Sequence, residues 1–190
     1  YTRGLGGALG LLIGALVLGS ASAHALRALG GALPWPTLML GVAALAAAGG
    51  LLLFFGTNDP PLAQARVTVL QWRALATLWT DARVRSSVLG YFGHMWELYT
   101  MWVMVPLVLA TRLQGAALSW AAFCVLGAGV IGCAGGGWVA QRWGSARVAG
   151  TQLAISGLFC LAAFVMIDAG DALFYAWLVL WGITVSGDSP

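Results

Sequence analysis

VLGYFGHMWELYTMWVMVPLVLA, residues 88–110, is the stretch on which the reading of this chain turns. It is long enough to cross a bilayer, whose hydrocarbon core takes about 20 apolar residues of helix. Near its middle stands Glu97, in a chain where only 8% of residues are charged. A carboxylate at the bilayer midplane costs about 2.5–3.5 kcal/mol on insertion scales, so such a group normally faces a protein interior or a wet cavity. Function is the default hypothesis for it. On a helix, Gly90, His94, Glu97 and Met101 share one face, and Tyr91, Leu98 and Trp102 form the adjoining one. His94 and Glu97 are therefore expected to point together.

Working outward, the composition agrees with lipid as the solvent. The chain is 61% hydrophobic over 190 residues, with a mean hydropathy of +0.89. Soluble domains average about 45–50% apolar and about 25% charged. Six apolar stretches qualify as spans, at residues 5–25, 37–55, 88–110, 119–140, 149–167 and 172–186. All nine basic residues are arginines. Threading the six spans alternately puts Arg3, Arg66, Arg73, Arg83, Arg85, Arg142 and Arg147 on one side. Arg27 and Arg112 fall on the other, with Asp168 and Asp171. That bias places both ends of the chain and the long loop in the cytoplasm, as a multi-pass protein of the inner (plasma) membrane. The net charge of +3 is too small and too dispersed to suggest nucleic acid. Trp35, Trp120, Trp138 and Trp143 fall near expected interfaces, where indoles favour an apolar ring with a wet N–H.

Residues 56–87 form the one long connection. Asn58-Asp59-Pro60-Pro61 opens it with turn chemistry. Its second half reads as an amphipathic surface helix, with Leu75, Leu78, Trp79 and Ala82 on one face and an Asp81–Arg85 pair on another. Gly6, Gly10 and Gly14 recur every four residues, as a similar run does through Gly129, Gly132 and Gly136. Both spacings make flat faces that let a neighbouring backbone come close, for tight packing or for helices that slide. Cys124, Cys133 and Cys160 all lie in apolar stretches and read as small hydrophobes, with no disulfide framework and no metal site.

Several of these stretches resemble the major facilitator superfamily of twelve-helix secondary transporters. Leu89-Gly90-Tyr91-Phe92-Gly93-His94-Met95-Trp96-Glu97-Leu98-Tyr99 resembles the start of that family's second half. Gly14-Ala15-Leu16-Val17-Leu18-Gly19-Ser20 is similar to its fifth helix, though without the proline of the antiporter signature. Trp181-Gly182-Ile183-Thr184-Val185 with Asp188-Ser189-Pro190 is similar to its tenth. Gly137-Trp138-Val139-Ala140-Gln141-Arg142-Trp143-Gly144-Ser145-Ala146-Arg147 resembles the cytoplasmic loop motif Gly-x-x-x-Asp-Arg-x-Gly-Arg. Gln141 stands in place of the acid and Ser145 in place of a basic residue, so Gly137, Arg142, Gly144 and Arg147 carry the cytoplasmic gate motif.

The resemblance implies an all-α membrane protein in a two-bundle architecture, with this chain as helices five to ten. Residues 1–55 would then be the last two helices of an N-terminal bundle and 56–87 the cytoplasmic linker. Residues 88–190 would be the first four helices of a C-terminal bundle. The absence of an initiator methionine fits an excerpt of a longer protein. The expected activity is alternating-access transport of a small molecule, coupled to protons, with the other helices of the same transporter as partners.

The pathway candidates are Glu97, His94, Tyr91 and Asp188. Glu97 would load and lose a proton, His94 would share it, and Asp188 would line the pathway or cap the cytoplasmic gate. The plainer alternative has Glu97 paired with a donor on another helix, fixing packing alone. His94 and Glu97 also have helical metal-ligand spacing, with His24 as the only further imidazole. A catalytic zinc usually takes three protein ligands, so a membrane-embedded metalloenzyme is disfavoured. Gly135-Gly136-Gly137 lacks a following Lys-Ser/Thr and is no phosphate loop. The expectation is no enzyme and no cofactor, with a non-transporting membrane scaffold as the alternative to a transporter.

Overall fold

The computed structural model describes residues 5–31, 33–57, 76 and 78–187. Among these the regular structure is all helix, with no β-strand. The helices are α1 (Leu5–Gly30), α2 (Trp35–Gly56), α3 (Ala82–Leu109), α4 (Gly115–Gly127), α5 (Gly129–Trp143), α6 (Ser145–Met166) and α7 (Asp171–Ser186). Four helical stretches are long and apolar enough to cross a bilayer: Gly6–Gly30, Trp35–Gly56, Gly115–Trp143 and Ser145–Met166. They mark a membrane-spanning protein.

Two of the six expected spans differ from these four. In α3, His94, Glu97 and the tryptophans and tyrosines around them dilute the apolar content. α7 has 16 residues, about 24 Å of helix at 1.5 Å per residue, against roughly 30 Å of hydrocarbon. The stretch expected at 119–140 is two helices in tandem, α4 and α5. Ala128 joins them with right-handed helical backbone angles (φ −59°, ψ −22°).

The chain forms two compact units. One comprises residues 33–93 and holds α2 and the first turns of α3. α2 opens on Pro34 and Pro36, which pre-set φ where the first N–H groups have no helical partner anyway. No residue of α2 is buried, as suits an all-apolar helix whose solvent is lipid. The expected surface helix of the linker lies largely outside the described residues. What is described starts α3 earlier than the expected 88. Asp81 Oδ1 accepts the Arg83 N–H at 2.8 Å, an N-cap that satisfies an orphan donor of the first turn. The Arg85 guanidinium donates to the Trp79 carbonyl at 2.8 Å.

The other unit comprises residues 1–32 and 94–190. Here α5 is held between two neighbours by glycine on adjoining faces. Toward α1, a Cβ built at Gly10 would stand 2.5 Å from the Cys133 carbonyl oxygen, and one at Gly6 would stand 2.8 Å from that of Gly137. Toward α7, Cβ atoms at Gly129, Gly132 and Gly136 would overlap Ser186, Ile183 and Gly187. The two glycine runs thus meet different partners. Gly6, Gly10 and Gly14 admit α5, whereas Gly129, Gly132 and Gly136 admit α7. Such approach is available only without side chains, and it replaces apolar driving force with close van der Waals contact.

The apolar core lies where α3, α4 and α7 converge. Met101, Val105, Leu109, Ala122, Phe174 and Leu178 are completely buried. At one end of this core Arg112, in the turn after α3, reaches the turn between α6 and α7. It pairs with Asp171 at 2.5 Å and donates to the carbonyls of Ile167 at 2.8 Å and Ala169 at 2.5 Å. Its guanidinium also lies 4.0 Å from the centre of the Phe174 ring. Asp171 is both exposed and paired.

Candidate functional site

Glu97 belongs to the part of α3 that packs in the larger unit. Its carboxylate is half-buried and meets α6 rather than open lipid. Oε1 accepts a hydrogen bond from the Ser156 hydroxyl, and Ser156 is wholly buried. One helical turn along α6, Cys160 Sγ lies 3.9 Å from the same oxygen. Residues four apart on a helix stack on one face, so Ser156 and Cys160 present both donors together. A hydrogen bond to a charged group contributes about 1.5–3 kcal/mol, enough to offset much of the penalty for taking a carboxylate out of water.

α7 closes the site from a third direction. Trp181 is 6% exposed and stacks on Trp177, with ring centres 5.4 Å apart and planes 22° from parallel. Its indole nitrogen is buried without a hydrogen-bond partner among the described residues. The Trp177 indole donates to the Phe159 carbonyl of α6 at 3.0 Å, which fixes the register of α6 on α7. Gly182 allows the closure. A Cβ there would overlap the Val125 carbonyl of α4 and would touch the Met101 methyl at 3.5 Å.

His94, one turn before Glu97, is 6% exposed. Met101, on the same face, is completely buried. The face inferred from spacing is therefore the inward one from His94 to Met101. Tyr91 is 64% exposed and lies in the other unit. Trp96 and Tyr99 are also exposed, so neither packs into the core. Asp188 lies outside the described residues. His24 is half-buried on α1. No three His, Cys, Asp or Glu side chains among the described residues are grouped to hold a metal ion.

The residues of the loop motif do separate things. Gly137 packs its backbone on Gly6 and Gly10. Arg142 is exposed and lies 4.5 Å over the Trp138 ring. Gly144, at φ +86°, ends α5 and begins α6 in a conformation L side chains rarely adopt. Arg147 is exposed in the first turn of α6. Gln141, where the resemblance would have an acid, lies against the start of α1. Its Cγ would be 3.2 Å from a Cβ on Gly6.

No family model, no curated protein and no solved structure matches this chain.

Spacing along α3 did not identify Ser156 or Cys160. The available signal was a polar run, Thr151, Gln152 and Ser156, on an otherwise apolar helix. Cys160, read as a small hydrophobe, is instead the second donor to a carboxylate.

Proposed function

We propose that this chain belongs to an integral membrane secondary transporter that works by alternating access and couples a small solute to protons through Glu97. The observation that carries the reading is a half-buried carboxylate inside an apolar helical assembly, held by a hydroxyl and a thiol from a second helix. A carboxyl that exchanges a proton as access alternates is what proton-coupled transport needs, and a hydroxyl can serve either of its charge states. The major facilitator resemblance belongs to this proposal, and so does the placing of the chain as helices five to ten of twelve. So do the six crossings, the cytoplasmic ends and the inner membrane. Glu97 and His94 are the pathway residues in the core, with Tyr91 and Asp188 as further candidates. Gly137, Arg142, Gly144 and Arg147 form the cytoplasmic gate loop. No enzymatic step and no cofactor enters this scheme.

One observation favours a second reading, a membrane scaffold without a transport cycle. Glu97 already has donors across a packed seam, as a purely structural carboxylate would. Full-length protein in proteoliposomes, given labelled small organic solutes under an imposed pH gradient, separates the two. Gradient-driven accumulation that Glu97→Gln abolishes supports coupled transport. Accumulation that keeps its gradient dependence in Glu97→Gln overturns the role of Glu97. No accumulation above protein-free liposomes overturns transport and leaves the scaffold.

A further inference from the structure

We propose that α6 reads the proton on Glu97: the Ser156 hydroxyl and the Cys160 thiol form a charge-sensitive tie between α3 and α6, with Ser156 as the positioning residue that sets when the carboxyl lets its proton go. This rests on the reading of Glu97 as a proton-exchanging group and adds to it the partners that sense the exchange.

The first support is how unusual the Ser156 hydroxyl is in this fold. Hydroxyls inside helices commonly bond back to the carbonyl four residues earlier. Ser20 does so to Leu16, Thr100 to Trp96, Thr151 to Arg147 and Thr184 to Leu180, at 2.7–3.0 Å. Ser156 sends its proton across to Glu97 on the neighbouring helix instead. Its own helix still offers the usual alternative, the Gln152 carbonyl. The hydroxyl therefore has two acceptors, one of variable strength and one fixed.

The variable acceptor decides between them. An ionised carboxylate draws hydrogen bonds roughly twice as strong as neutral ones. With Glu97 charged, Ser156 and Cys160 both point at Oε1 and bind α3 to α6. With Glu97 protonated, the carboxyl is a weaker acceptor and carries its own O–H. The hydroxyl then returns to its helix and the tie loosens, with no buried donor orphaned by the exchange. Both arrangements satisfy Ser156, which makes the contact a switch and not a strained bond. Trp177, donating to Phe159 between Ser156 and Cys160, carries any shift of α6 into α7.

Among the described residues, Cys160 on α6 lies 3.9 Å from the Glu97 carboxyl, and His94 stands one helical turn before Glu97 on α3. On α6, Arg147 is exposed in the first turn, 9 residues before Ser156. On α7 the charged residue within the helix is Asp171, engaged by Arg112 at the opposite end from Trp181.

The test uses full-length protein in liposomes and infrared difference spectra. The carboxyl band of protonated Glu97 is assigned by its absence in Glu97→Gln. Removing a donor to the charged form disfavours that form, so Ser156→Ala should move the titration midpoint of the band upward by about one pH unit, a tenfold change in proton affinity. Ser156→Thr, which keeps the hydroxyl, should restore it. Cys160→Ala, removing a weaker donor, should shift it less. Should Ser156→Ala fail to fold, Ser156→Cys supplies a weak donor in the same place and should give an intermediate shift. A midpoint unchanged in Ser156→Ala, or in Ser156→Cys where that variant is needed, overturns the proposal, because a merely structural serine would cost stability without moving the titration. A moved midpoint in a protein that transports nothing would sustain the tie while removing the transporter reading. Gradient-driven transport lost in Glu97→Gln, with no midpoint shift in Ser156→Ala, would do the reverse.

Discussion

Replacing Gly132 with alanine isolates the energy of the glycine seam between α5 and α7. The added methyl would overlap the Ile183 carbonyl oxygen and stand 3.2 Å from the Gly187 nitrogen. Both are backbone atoms, so no side-chain rotation relieves the contact and the two helices must part. Overpacking of this kind typically costs about 1–3 kcal/mol, and a rigid partner argues for the upper half of that range. Gly135 provides the internal control, since it is exposed on the same helix and a Cβ there meets nothing within 4 Å. Both substitutions gain the same helix preference of alanine over glycine, about 0.5–1 kcal/mol. Gly135→Ala should therefore be neutral to stabilising by that amount. Gly132→Ala should lie about 1–3 kcal/mol below it, the overpacking term with the propensity term cancelled. Unfolding of full-length protein in mixed micelles, followed by far-ultraviolet circular dichroism, measures the difference directly. Equal stability of the two variants would refute the claim that glycine at 132 exists for backbone approach.

The same assay checks two further expectations. Arg112→Met keeps much of the apolar stem but removes the Asp171 pair, two carbonyl contacts and the stacking on Phe174; it should cost about 2–3 kcal/mol, at the level of hydrogen bonds to a charged group. Asp171→Asn should cost less than about 1 kcal/mol, because that side chain is 80% exposed and solvent screens it. Gly144→Ala should cost about 1–3 kcal/mol through backbone strain at φ +86°, although no neighbouring atom lies within 4 Å of the added methyl. If Gly144→Ala is neutral, the turn between α5 and α6 does not need that conformation.

These variants separate two ways in which the larger unit is held together. The seams of α5 depend on what glycine lacks, and their energy is spread along whole helix faces. The contacts of Arg112 and of Glu97 are single polar groups, each joining two elements that are distant in the chain. The Ser156–Glu97 bond joins residues 59 apart, and so does the Arg112–Asp171 pair. Apolar contact with lipid is nearly as good as apolar contact with protein, so close packing and polar pairs together decide which helices associate.

The chain's own order of residues was enough to establish lipid as the solvent, helix as the element formed by the described residues, and the two glycine runs as close-approach faces. It also placed His94, Glu97 and Met101 on one side of α3, because a helical repeat assigns neighbours within an element. It did not reveal the joint at Ala128, where apolar content runs on unbroken through two helices. Nor could it pair Glu97 with Ser156 and Cys160, bring Arg112 over Phe174, or show that α5 turns one glycine face to α1 and another to α7. Periodicity says which way a side chain leaves its own helix. Which atom waits for it depends on how separate helices cross and at what height, and that is settled only when they pack.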